Sequence, residues 1–248
     1  MLARLTALAI GGIVSMAVAA RAGTPFGGDD AGFVPPDGSA KRCAERVLLR
    51  ALAKGKLFSC DMKCHRQAAR EGLKSRPFDE TTCEANCRLK YDLASYPASC
   101  PTCLDASGRS AIADTIETFA DGENGALYCA GTIPFGDDDA GFVPPDLPTA
   151  KCEEKVLRNL VKVVSCLRIC HFKSARQGFR GEPFDDEPCE TGCLAQYAAN
   201  RDKTLAKGGC PSCLDAAGQD AVADDGESFA DSINGPIFCA SPGGAFLD

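Results

Sequence analysis

The chain has only two histidines, and both stand in the same setting. His65 follows Cys60-x3-Cys64, and His171 follows Cys166-x3-Cys170. Two cysteines ahead of a histidine could supply two thioether links and an axial imidazole, the logic of a c-type haem, usually with two residues between the cysteines. A competing chemistry uses sulfur alone. Eighteen residues beyond each pair lies a second one, Cys83 with Cys87 and Cys189 with Cys193. Residues four apart share a helix face, so each pair is a two-rung ladder, and two antiparallel helices can be joined rung to rung. Antiparallel order nests the bonds: Cys60 with Cys87 and Cys64 with Cys83, then Cys166 with Cys193 and Cys170 with Cys189. This hairpin uses all four cysteines of a set, whereas haem would strand the second pair. No third histidine offers a sixth ligand, and Met62 has no counterpart in the second set. Haem c on Cys60, Cys64 and His65, and on Cys166, Cys170 and His171, therefore stands as the alternative. The histidines are expected on a helix surface beside a disulfide.

Eight further cysteines fall in the same order around each set: Cys43, Cys100, Cys103 and Cys129, then Cys152, Cys210, Cys213 and Cys239. Four cysteines per copy allow three pairings, and the spacing does not choose among them. Cys100-Pro-Thr-Cys103 and Cys210-Pro-Ser-Cys213 have the frame of a thiol-disulfide redox site, which ordinarily follows a buried strand. Here a polar loop precedes each, so structural cross-links rank first and an oxidoreductase third. Four thiolates could also hold zinc, but sixteen cysteines in an exported chain favour disulfides. Hydrolytic chemistry finds no Gly-x-Ser-x-Gly and no phosphate loop. No catalytic constellation emerges, and neither a metal nor a cofactor is expected.

The paired Cys-x3-Cys motif resembles the twin Cys-x3-Cys helical hairpins of small mitochondrial intermembrane-space chaperones and plant alpha-hairpinin peptides. About 28 residues per copy carry the resemblance. It implies a covalently stapled helical hairpin and no particular function.

The elements that must position these residues are duplicated. Pro25-Phe-Gly and Asp29 to Asp37 match Pro134-Phe-Gly and Asp138 to Asp146, and every cysteine of one copy finds its equivalent in the other. The repeats span residues 23–132 and 133–242, with a tail at 243–248. Residues 1–22 have the basic, apolar and small-residue pattern of a signal peptide ending Ala20-Arg21-Ala22. Each repeat opens on a Gly- and Asp-rich stretch, expected to be an extended lead-in and, around Asp137-Asp138-Asp139, a solvated acidic linker rather than a calcium loop. Val156, Leu160, Val163, Val164 and Leu167 trace an amphipathic helix into Cys166; the first copy is three residues longer there, and Gly55 could break it. Asp79, and Asp185 or Asp186, are expected to cap the hairpin's second helix. A third helix, marked by Ile112, Ile116 and Phe119 and by Val222 and Phe229, is expected to end at Asn124-Gly125 or Asn234-Gly235.

The formal net charge is −7, which disfavours a nucleic-acid partner. The mature chain holds no apolar run long enough to span a membrane. The expected protein is all-α, with two tandem disulfide-rich helical domains, each a helical hairpin plus a third helix. It is expected to be secreted, periplasmic or at the cell surface, as a non-enzymatic structural or binding module for a protein or surface ligand.

Overall fold

The computed structural model describes residues 24–27, 30–136 and 139–239; the expected leader at 1–22, Asp137-Asp138 and the tail at 243–248 lie outside them. Each repeat opens with a short antiparallel hairpin: β1 (Pro25–Gly27) with β2 (Asp30–Phe33), and β3 (Pro134–Gly136) with β4 (Asp139–Phe142). These hairpins replace the expected extended lead-ins. Everything larger is helical: α1 (Gly38–Leu52), α2 (Leu57–Gly72), α3 (Glu80–Asp92), α4 (Ala106–Leu127), α5 (Leu147–Arg180), α6 (Glu187–Leu205) and α7 (Ala216–Ile237).

The two repeats differ where the sequence left a choice. In the first, the helix breaks between α1 and α2 at Gly55, whose φ of 75° suits a residue without Cβ. In the second, the equivalent stretch runs unbroken as α5 and stops at left-handed Gly181. The Asn-Gly signals do not end α4 and α7, which run on to Leu127 and Ile237. Turn propensity yields because the asparagine side chains are used elsewhere: Asn124 Nδ2 donates to the carbonyl of Ala140, and Asn234 Nδ2 to that of Ala31, each at 2.9 Å.

Those two bonds show how the repeats interlock. Each hairpin packs on the third helix of the other repeat, β4 on α4 and β2 on α7. Glycine at the ends of α2 and α5 admits the chain that follows: a Cβ on Gly72 would fall 2.9 Å from Val143, and one on Gly178 2.6 Å from Val34. Ion pairs cross reciprocally too, Arg70 with Glu154 at 2.6 Å and Arg176 with Glu45 at 2.9 Å. Phe119 and Phe229 occupy equivalent places and stack on each other, centroids 3.9 Å apart and planes 2° from parallel. A contact between equivalent residues lies on a twofold axis, so the chain folds as an approximate intramolecular dimer. Phe58 covers both rings, and Leu48, Leu52, Ile116, Leu127, Leu160 and Leu167 fill the surrounding core.

The disulfides follow the same symmetry. Within the hairpins Cys60 joins Cys87, Cys64 joins Cys83, Cys166 joins Cys193 and Cys170 joins Cys189. Cys43–Cys100 and Cys152–Cys210 tie each first helix to the loop before the third. The remaining four cysteines depart from the expectation of pairing within a copy: Cys103 bonds Cys239 and Cys129 bonds Cys213, so each bond crosses between repeats. The reason is the interlock, which sets the end of each third helix against the turn that opens the other. All sixteen cysteines are oxidised. The structure is thus a disulfide-rich helical protein, and no described helix is long and apolar enough to cross a membrane.

Candidate metal centre

α2 carries Asp61 and His65 one turn apart on a single face, and that face points inward: Asp61 is 1% and His65 0% exposed. The surface position expected for His65 is therefore corrected, and so is that of His171, also fully buried. The cause lies in the ladder. A rung can form only on the face where two helices meet, and the residue beside a rung cysteine turns partly into the same seam. Cys64–Cys83 places His65 and Glu84 together, since each directly follows a bonded cysteine. Cys170–Cys189 does the same for His171 and Glu190.

Around His65 the third helix adds Asp121, and β4 of the second repeat adds Asp139. His65 Nε2 lies 2.8 Å from Glu84 Oε1, 3.1 Å from Asp139 Oδ1 and 3.4 Å from Asp121 Oδ1. One N–H cannot serve three oxygens. Neither ring nitrogen of His65 has a properly directed hydrogen bond, and Glu84 Oε1 and Asp139 Oδ1 also lack one. The four donor atoms lie within 4.8 Å of one another. A first-row divalent ion holds nitrogen and oxygen ligands at about 2.0–2.2 Å, so opposed ligands sit roughly 4 Å apart. The acidic stretch expected to be a solvated linker thus supplies a side chain, Asp139, that is 3% exposed.

The second repeat rebuilds this arrangement. His171 Nε2 lies 3.0 Å from Glu190 Oε1 and 3.3 Å from Asp231 Oδ1, again within 4.8 Å of one another. His171, Glu190 and Asp231 are the repeat equivalents of His65, Glu84 and Asp121.

The first cluster is rich in acid. Burial, then the neighbouring Glu117 and Glu84, pushes Asp61 up to about 8. Burial and a hydrogen bond with Asp139 push Glu80 up to about 9. Burial raises Glu84 as well. Burial favours the neutral imidazole of His65, yet Asp121, Asp139 and Glu84 hold its pKa well above the usual histidine range. Arg88 answers Glu117 and Asp114 at 2.6 and 2.7 Å. Uncompensated charge at such depth costs several kcal/mol per ion, and a bound cation would cancel it.

The other sequence candidates resolve differently. The two cysteines of each Cys-Pro-x-Cys belong to different disulfides, and the turns between them are short 3-10 helices at Thr102–Leu104 and Ser212–Leu214. The thiols that haem c or a four-cysteine zinc site would need are held in the hairpin bonds. Asp79 caps α3, accepting from Thr82 N at 2.9 Å. Asp186 precedes α6 but makes no side-chain cap bond and is 6% exposed, which corrects its expected capping role.

Sequence reasoning missed the acids of both clusters, although a signal was present: Cys-Glu recurs at 83–84 and 189–190, and Phe-Ala-Asp at 119–121 and 229–231. Acids kept in both copies beside a structural cysteine or a core phenylalanine are poorly placed for mere solubility. No protein-family model, curated protein or solved structure matches this chain.

Proposed function

We propose that this is an exported, disulfide-clad metal-binding protein holding two divalent transition-metal ions, one in each repeat. The observation that carries the reading is His65: fully buried, with no directed hydrogen bond at either ring nitrogen, and faced at Nε2 by three carboxylate oxygens. Imidazole with carboxylates suits zinc, manganese or ferrous iron. Calcium would rarely take imidazole, and copper(I) would want the thiolates that are locked in disulfides. Eight disulfides belong to an oxidising compartment, which supports export. The role is binding rather than turnover: the ions would sit under the helices and beside buried acids. This reading departs from the sequence expectation, which had neither metal nor cofactor.

The test is the metal content of protein isolated without chelator, by plasma mass spectrometry, followed by titration of the chelator-stripped protein with Zn2+ and Mn2+. Two tight sites per chain are expected, and His65→Gln should remove one. A folded wild-type protein that binds neither ion tightly would overturn the proposal.

A further inference from the structure

The molecule is acidic overall, yet one face is strongly basic. Lys151, Lys155, Arg158 and Lys162 fall at steps of four, three and four along α5, so they form a single stripe. At 1.5 Å per residue that stripe is about 16 Å long. Two contiguous grooves follow it and share Arg158. One, of about 460 Å³, is bounded by Lys207 beside Lys151 and Lys155. The other, of about 640 Å³, crosses to the first repeat and is lined by Lys54, Lys63 and Arg66 together with Lys162. No carboxylate lines either groove. Arg158 is paired with Glu154 at 3.2 Å. Among the described residues Lys54, Lys63, Arg66 and Lys162 have no ion-pair partner. Burial and then the adjoining cations Lys162, Arg158, Lys207 and Lys203 lower Lys155, as crowding of like charge requires.

Folding gains nothing from gathering like charges, and only part of the stripe is common to both repeats: Lys151 and Lys155 align with Arg42 and Arg46, whereas Arg158 aligns with Leu49, and Lys63 and Arg66 align with Ile169 and Phe172. We infer that this furrow is a binding site for a linear acidic polysaccharide, its carboxylate or sulfate groups meeting successive cations. Three features favour that occupant. The stripe is longer than any single small anion, and it is concave, which suits a chain better than a flat membrane. No aromatic ring lines either groove, so there is no platform on which nucleic-acid bases would stack. Lys63 and Lys162 reach across from different repeats, so the interlocked fold is what assembles the site.

The experiment is calorimetric titration of the full protein as isolated with a size-defined heparin oligosaccharide, beside oligothymidylate of equal charge. Saturable binding is expected, weakened by added salt because exposed charges are screened. Lys155→Glu combined with Lys162→Glu should weaken it at least about tenfold, whereas Lys90→Glu, an exposed lysine on α3, should not. Circular dichroism of each variant guards against misfolding. Absence of saturable heparin binding by the wild type, equal weakening by Lys90→Glu, or tighter binding of oligothymidylate would each overturn the inference. None of these outcomes depends on the metal reading.

Discussion

The two histidine clusters are built on one plan and differ in what surrounds them. In the first, the side chains of Glu84 and Asp121 are 17% and 19% exposed; in the second, Glu190 and Asp231 are 4% and 12% exposed. Asp61 stands one turn before His65, whereas the equivalent residue before His171 is Leu167, fully buried in the core. Glu80 is likewise replaced by the shorter Asp186. Duplication thus kept the histidine, the glutamate and the helical aspartate, while one cluster stayed open and acidic and the other closed. On the proposed metal reading, the second cluster would keep its ion away from water and the first would leave its ion within reach of solvent.

The largest effect should come from Asp139, which reaches the first cluster from the second repeat. Asp139→Ala should weaken the first site about 100-fold, in line with loss of a ligand or its orienting partner, and leave the second unchanged. Site-resolved titration of stripped protein checks this; equal loss at both sites would break the distinction between them.

Asp61→Leu makes the first cluster resemble the second. In the metal-free protein it should add about 2 kcal/mol at pH 8 by removing a buried carboxylate with no partner. The sign follows from linkage. Asp61 is raised from 3.8 to about 8, so between those values the folded state holds a proton that the unfolded state has released. Stability of the metal-free protein accordingly falls as pH rises from about 4 to about 8 and then levels. His65, also raised, adds stability that is complete below its unfolded pKa and lost as pH climbs through the folded one. Urea midpoints across this range should decline in the wild type and decline less in Asp61→Leu.

A smaller effect sharpens the same contrast. Chelator should strip the metal-loaded protein in two phases, the first cluster about tenfold faster because two of its carboxylates, Glu84 and Asp121, are reached by solvent. Stopped-flow with a chromogenic chelator reads both phases, and His65→Gln should abolish the fast one.

The smallest expected difference concerns the helices that carry the glutamates. Asp79→Ala should cost about 1 kcal/mol, because Asp79 caps α3 through Thr82 N. Asp186→Ala should cost no capping energy, since that side chain caps nothing. Paired urea melts compare the two.

Much was legible in the chain before folding. A four-residue cysteine step fixes a helix face, and antiparallel helices allow one nesting of the rungs, so the local geometry of each hairpin follows from spacing alone. Heptad-like steps of valine and leucine announced α5, and repetition announced the doubled plan. What spacing could not fix were contacts between residues far apart in sequence. Cys103 and Cys239 are 136 residues apart and Cys129 and Cys213 84, and no periodicity links such pairs. Asp139 has polar sequence neighbours, which suggest a soluble linker; it is buried only because β4 crosses to the other repeat, where Asn124 holds the carbonyl of the next residue, Ala140. His65 was read as a surface residue because helix period alone cannot tell which seam a third helix will close. The sequence by itself determined the helices, the ladders and the twofold repetition, all products of short-range geometry. The tertiary structure alone decided that the repeats would interlock, and thereby made a histidine beside a disulfide the centre of an acidic, buried cluster.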